Sequence, residues 1–181
     1  MSFTENKPKT MDWKKEFTPN SIRTNSGKYF DLLIMDPDTI DIQDIAHGLS
    51  FMPRFGGQLD EFLSVAQHSV YAYMMAAPEN KLAALLHDAS EAYMLDMPSP
   101  FKKLLPDYQA VEKRLSGVIA EKFGFQFPYV DQIKKIDSEL LSLEWRAMVM
   151  KVEPDYKVWD SAEAKRRFLE AYAECLEVTE S

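Results

Sequence analysis

The chain has 181 residues, which fits one domain at roughly 100–200 residues per domain; a chain of this size buries a core without needing a disulfide or a metal to fold. Hydrophobic residues make up 46% and charged residues 28%, a balance that excludes a disordered chain. Lys plus Arg number 21 against 29 Asp plus Glu, a net charge of −8. That excludes a protein that coats nucleic acid through a basic face, but not one that takes a small anion on a local cluster of cations.

A single cysteine, Cys175, permits no internal disulfide, so a cytoplasmic protein is expected. The segment from Met1 to Phe17 is polar and lysine-rich, without the apolar stretch of a signal peptide. The longest apolar-leaning stretch, Val70 to Pro78, falls far short of the ~20 residues that span a bilayer. The expectation is a soluble protein with no membrane partner.

The first twenty residues are expected as a flexible tail, and 21–181 as one domain. Ile22 to Leu33 reads as a hairpin turning at Asn25-Ser26-Gly27. Asp36-Pro37-Asp38 is a second turn, after which Thr39 to Ile42 is expected to return as a strand. Asp41 can cap a helix carrying Ile42, Ile45, Ala46 and Leu49, broken by Pro53 and Gly56-Gly57. The next helix is expected from about Asp60 to Ala76, with Phe62, Val65, Ala66, Ser69, Val70 and Tyr73 on one stripe. A third runs from about Glu79 to Met94, followed by a loop at Met97-Pro98-Ser99-Pro100.

After Pro106 a long helix carries Tyr108, Val111, Leu115, Val118, Ile119 and Phe123, stopped by Gly124. Another begins near Pro128 and carries Val130, Ile133, Ile136, Leu140, Leu143 and Met148. The last opens with Asp160 and Glu163 at capping-box spacing and continues through Phe168, Leu169, Tyr172 and Leu176. The pattern predicts an all-α bundle of six or seven helices with a small N-terminal β-hairpin.

Chemistry concentrates at a few positions. His87 and Asp88 follow two leucines on a helix that should be buried, where a charged Asp requires a partner or a metal. Alone, the pair reads more readily as surface-facing residues at a helix edge. His68 lies 19 residues upstream among apolar neighbours; alone, it reads as a core histidine bonded to a carbonyl. Asp137, in Ile136-Asp137-Ser138, sits on an expected inward stripe, as a ligand, a cap or a salt-bridge partner. Two imidazoles and two carboxylates together suit a divalent transition ion (Mn, Co, Fe or Zn), and four protein ligands leave positions for water and a phosphate oxygen at higher coordination numbers. Glu91, four residues after His87, is expected on the same helix face, and Asp96 follows where the helix ends.

Weaker signals surround this set. Lys102 and Lys103 read either as phosphate contacts or as a solvated pair. His47 reads as a packed helix residue. Trp13, Trp145 and Trp159 read as packing residues, and Met74-Met75 as core filler.

The order His68, His87-Asp88, Asp137 resembles the HD-domain phosphohydrolase superfamily, whose pattern is His, then His-Asp, then a distal Asp, all on helices. The resemblance implies those four as the metal ligands. Arg54, Glu91 and Asp96 stand where the bacterial 5′-deoxynucleotidases of this superfamily keep a phosphate-binding Arg, an acid that handles the attacking water and an acid near the leaving group. The stretches Ile45-Ala46-His47-Gly48-Leu49-Ser50, Arg54-Phe55-Gly56-Gly57 and Ser64-Val65-Ala66-Gln67-His68-Ser69-Val70 look like a compact phage and bacterial branch, some members of which hydrolyse dATP and other deoxyadenosine nucleotides. The likeness covers about residues 20–150. Gln58 departs from it, standing where a histidine is common in that branch.

What the resemblance implies is a metal-dependent phosphohydrolase of 5′-(deoxy)nucleotides. Release of phosphate from a deoxynucleoside monophosphate is the central expectation, with dNTP hydrolysis as the close alternative and Lys102 as a further phosphate contact. A nucleotide-sensing domain without catalysis and a cyclic-nucleotide or alarmone hydrolase are the rivals. The expected partner is a small nucleotide, not a nucleic acid polymer. The resemblance also implies a homodimer or larger homo-oligomer, with the apolar C-terminal helix as a possible interface.

Overall fold

A computed structural model describes residues 18–179 of the chain. Trp13 and the first seventeen residues of the expected tail lie outside the described residues. Within it, Thr18 and Asn20 are tied to the hairpin: the Thr18 hydroxyl donates to Asp31, and the Asn20 carbonyl accepts from Leu32 N at 3.2 Å.

The hairpin forms as its turn residues dictate. β1 (Ser21–Arg23) pairs antiparallel with β2 (Tyr29–Asp31), with Ile22 opposite Phe30. Its turn is fastened to the bundle by a buried carboxylate, since Asp44 accepts from both the amide and the hydroxyl of Ser26 at 2.7 Å. The strand expected at Thr39 to Ile42 is absent. Pro37–Thr39 is a 3-10 turn, with Asp36 capping it, and Ile40 and Asp41 are extended only to lead into the next helix.

The described residues contain eight α-helices rather than six or seven. α1 (Ile42–Phe51) starts at Asp41, whose side chain accepts from Gln43 N. α2 (Val65–Met75) starts later than its apolar pattern suggests. Residues 60–64 are drawn out because Arg54 N donates to the Leu63 carbonyl at 2.8 Å and Val65 N to the Met52 carbonyl at 3.0 Å. Those bonds fold the 53–64 loop back on itself, leaving Ser64 to cap α2. Phe62 is therefore exposed, as are Met74 and Met75 at the end of α2, which are not core filler.

The expected third helix is two short ones, α3 (Lys81–Leu85) and α4 (Glu91–Met94), joined by turns over 86–90. The break has a side-chain cause. Nδ1 of His87 donates to the Ala84 carbonyl at 2.7 Å, which in a continuous helix would receive the amide of Asp88. The proline-rich loop also contains one helical turn, α5 (Ser99–Lys102), because prolines suit the first turn, where no amide donor is needed. α6 (Pro106–Phe123) ends on Gly124 in the left-handed conformation, φ 77°. α7 (Asp131–Met148) and α8 (Ser161–Thr179) complete the set, the latter capped by Asp160 Oδ1 accepting from Glu163 N.

α2 lies at the centre, packed against α1, α3, α7 and α8, while α1 also packs on α4 and α8. The approach of α1 to α4 needs a glycine, since a Cβ at Gly48 would sit 3.0 Å from that of Ala92. The main core gathers Phe30, Ile45, Leu49, Leu86, Ile119 and Phe168. Phe168, Ala164, Ala171 and Cys175 bury one apolar stripe of α8 in this core, while Leu176 on the same helix stays exposed. Among the described residues, no helix is long and apolar enough to cross a membrane.

Candidate metal centre and its cleft

His68 comes from the middle of α2, His87 and Asp88 from the turn after α3, and Asp137 from α7. The fold brings all four to one point. Asp137 Oδ1 lies 3.2 Å from Nε2 of His68 and 3.9 Å from Nε2 of His87. Asp88 Oδ2 lies 3.2 Å from Nε2 of His87 and 3.6 Å from that of His68. His68, His87 and Asp137 form a group that can hold a metal ion, with one ligand atom from each within 4.8 Å of the others. The histidines are buried, so neither the surface-edge reading of His87 nor a carbonyl partner for His68 holds.

The tautomers are set from behind. A carbonyl can only accept, so the bond to Ala84 places a proton on Nδ1 of His87. Nδ1 of His68 faces Oε1 of Glu144 at 2.7 Å, a carboxyl that burial alone would raise but that His68 and Arg54 together hold below its usual value. Both Nδ1 atoms are therefore donors, and both Nε2 lone pairs point inward, 3.2 Å apart. Two facing lone pairs require a positive charge between them. A proton on His68 meets that need, since its bonds to Asp137 and Glu144 outweigh burial and hold its pKa up at about 9. A divalent ion meets it equally, with two imidazoles and two carboxylates as a mixed donor set. Asp137 is held far below the ordinary carboxylate range, because its bonds to both histidines outweigh its desolvation.

Glu144 is the residue that sequence reasoning missed. It is fully buried, and its second oxygen accepts from Nε and Nη2 of Arg54 at 3.1 and 2.8 Å. Its signal was legible: Glu144 lies four residues after Leu140 and three before Ala147, on the buried stripe of α7. Arg54 keeps Nη1 toward Asp88, at 3.8 Å. Burial works against the guanidinium's charge, but Glu144 and Asp88 outweigh it. Tyr129, also missed, donates to the His87 carbonyl at 2.9 Å and braces the turn that carries the centre.

The two acids lie beside this group. Glu91 is buried, and its Oε2 finds no hydrogen-bond partner among the described residues. Burial first, then repulsion from Asp88 and Asp96, pushes its carboxyl well above the usual range against the pull of Lys102 and Arg54. Burial and Asp88 raise Asp96 as well. Glu91 does not share a continuous helix with His87, because the helix breaks between them. Asp96 is aimed by Leu95, a non-glycine residue at φ 76° whose carbonyl accepts from the Tyr108 hydroxyl at 2.9 Å. Phe55, next to Arg54, also sits at positive φ. Such conformations cost about 1–3 kcal/mol each and persist where surrounding packing enforces them.

Arg54, Asp88, Glu91, Asp96 and Asp137 line one cleft of about 990 Å³, at the top of the roughly 300–1,000 Å³ range of small-molecule sites. Lys102 reaches the cleft but is engaged, with Nζ 2.7 Å from Glu112 and 3.8 Å from Glu91. Lys103 is exposed, and Gln58 sits at the cleft rim. His47 is away from the centre, packed on Phe51 at 4.7 Å. Trp159 packs as expected, against Tyr71 and Arg167. Trp145 does not: it is 50% exposed and lines the cleft.

No family model matches this chain. The chain is similar to the uncharacterized protein RCAP_rcc00048 of Rhodobacter capsulatus, 40% identical over 112 residues that make up 56% of this chain and 57% of that protein. It is similar to the uncharacterized protein YfdR of Escherichia coli (strain K12), 43% identical over 125 residues, 69% of this chain and 70% of the relative. Identity at that level over more than two thirds of both proteins is shared descent and a shared fold, and this chain belongs to the family of YfdR.

Proposed function

We propose that this protein is a metal-dependent phosphohydrolase of the HD-domain type that releases phosphate from 5′-deoxynucleoside monophosphates. The observation that carries the reading is the pair of inward Nε2 lone pairs 3.2 Å apart, flanked by Asp88 and Asp137 and opening on a cleft of nucleotide size. A bound divalent transition ion would supply a water of lowered pKa and a polarised phosphoryl oxygen. His68, His87, Asp88 and Asp137 would hold it.

The chain's own groups divide the remaining work. Arg54, clamped by Glu144, offers Nη1 to a phosphate oxygen as a charge-assisted donor. Glu91, in its ionised form, takes the proton of the attacking water, and a carboxyl whose pKa is raised is the stronger base once ionised. As the water oxygen bonds to phosphorus and the P–O5′ bond breaks, Asp96 gives its proton to the 5′-oxygen. Its raised pKa suits a group that must hold that proton beforehand.

Monophosphates are favoured over triphosphates by the state of Lys102. A β- or γ-phosphate would have to displace Glu112 from it, and Lys103 is turned to solvent. The test is a panel of nucleoside mono-, di- and triphosphates with Mn²⁺, Co²⁺, Fe²⁺ or Zn²⁺, following release of phosphate, diphosphate and triphosphate. Phosphate from deoxynucleoside monophosphates, abolished by a chelator and restored by the ion, is the expected result. No phosphoester cleavage with any ion would end the reading.

A further inference from the structure

The large cleft has two walls of different chemistry. Arg54, Asp88 and Asp137 form the charged end. The other wall is a stripe along the end of α7, Leu141 and Trp145 on the helix and Val149 just past it, at i, i+4 and i+8. These three are 47%, 50% and 43% exposed, and all line the cleft. Phe55 faces the stripe from the opposite loop, its ring centroid 6.2 Å from that of Trp145 at 47°. An apolar stripe left open beside a charged centre marks a ligand wall rather than ordinary surface.

We infer that Trp145 is the stacking platform for the base of the nucleotide, and that recognition of the base is by stacking and therefore tolerant of base identity. The inference rests on the hydrolase reading above. Asp137 and Trp145 lie on one helix, eight residues and so about 12 Å apart along its axis, a spacing of the order of a nucleotide's own length from phosphate to base. Few groups on this wall could read a base edge. Ser138 and Ser142 supply hydroxyls, while Arg146 is already bound to Glu153 at 2.8 Å. A half-exposed indole offers every base the same π-face, and stacking of this kind is indifferent to sequence.

The test compares a deoxynucleoside 5′-monophosphate with 2-deoxyribose 5-phosphate, the same phosphoester without its base, in the metal-loaded protein. Trp145→Ala should raise KM for the nucleotide about 5- to 100-fold and leave kcat and the kinetics of the sugar phosphate unchanged. Trp145→Phe should recover most of the loss. Trp145 is half exposed, so both variants should fold; far-UV circular dichroism checks it. Equal effects on the two substrates, or none on either, would remove Trp145 from base binding while leaving the hydrolase reading intact. If the native protein cleaves neither substrate, the hydrolase reading fails and indole fluorescence decides the platform alone. Quenching by the nucleotide that the sugar phosphate does not cause, and that Trp145→Phe abolishes, would uphold it. Quenching that is absent, or that survives in Trp145→Phe, would overturn it.

Discussion

Glu144 meets His68 at the edge of the imidazole opposite the nitrogen that faces Asp137, with Oε1 2.7 Å from Nδ1. Its other oxygen holds Arg54. One buried carboxylate therefore fixes the tautomer of a candidate metal ligand and the orientation of the nearest guanidinium, and the two cannot be disturbed separately.

Glu144→Gln keeps the shape and removes the charge. Loss of a partner behind a ligating histidine typically weakens metal binding about 10–100-fold. Leaving Arg54 buried without its carboxylate should also lower stability by about 3–5 kcal/mol. Metal titration and urea unfolding of the same preparation read the two effects, and an unchanged metal affinity would show that Glu144 supports only the fold.

Asp88→Ala tests the fourth ligand. The helices pack through apolar contacts that do not involve the centre, so the variant should keep its helical circular dichroism while losing bound metal and phosphate release. Native metal content with full activity would take Asp88 out of the site.

Arg54→Lys keeps a positive charge, but a single ammonium cannot bind Glu144 as Nε and Nη2 do and still hold Nη1 beside Asp88. Metal should stay bound while kcat/KM for nucleotides falls. An unchanged kcat/KM would count against a phosphate clamp at this position.

The acids set a pH dependence. Glu91 and Asp96 bind protons more tightly in the folded protein than at their ordinary values near 4.5 and 3.8. Between those values and the raised ones, the folded state holds more protons than the unfolded chain, so stability falls as pH rises through that window. Chelator-treated protein unfolded in urea across this range should show the decline, and Glu91→Gln should flatten it and be the more stable protein at its upper end. Asp137 and Glu144, held low, pull the other way in both proteins, so a Glu91→Gln profile that falls no less steeply than the native one would contradict the assignment.

Glu91→Ala and Asp96→Ala should each leave the ion bound and slow nucleotide hydrolysis about 10²–10⁴-fold. They should part on leaving group. A nitrophenyl phosphate departs as a stable anion and needs no acid, so Asp96→Ala should cost it far less than it costs a nucleotide, whereas Glu91→Ala should damage both. Equal losses in Asp96→Ala would assign Asp96 to water positioning, and loss of metal in either variant would make that residue a ligand.

The sequence by itself determined the helical class, the hairpin with its turn at Asn25-Ser26-Gly27, the helix stop at Gly124 and the helix start at Asp160, because these follow from periodicity and local backbone chemistry. It also singled out His68, His87, Asp88 and Asp137, whose polarity conflicts with the apolar stripes around them. Only the tertiary structure decided where helices break and what a side chain does at its far end. Residues 60–64 carry a helical pattern but are drawn out by the backbone bonds of Leu63 to Arg54 and of Val65 to Met52, and the helix after Lys81 breaks because an imidazole takes a carbonyl from it. Lys102 became a salt-bridge partner, Trp145 a cleft wall and Glu144 the brace behind the centre, since each depends on how its helix packs against another element. Local pattern specifies which face of a helix is buried; the partner met there is fixed by how the helices pack.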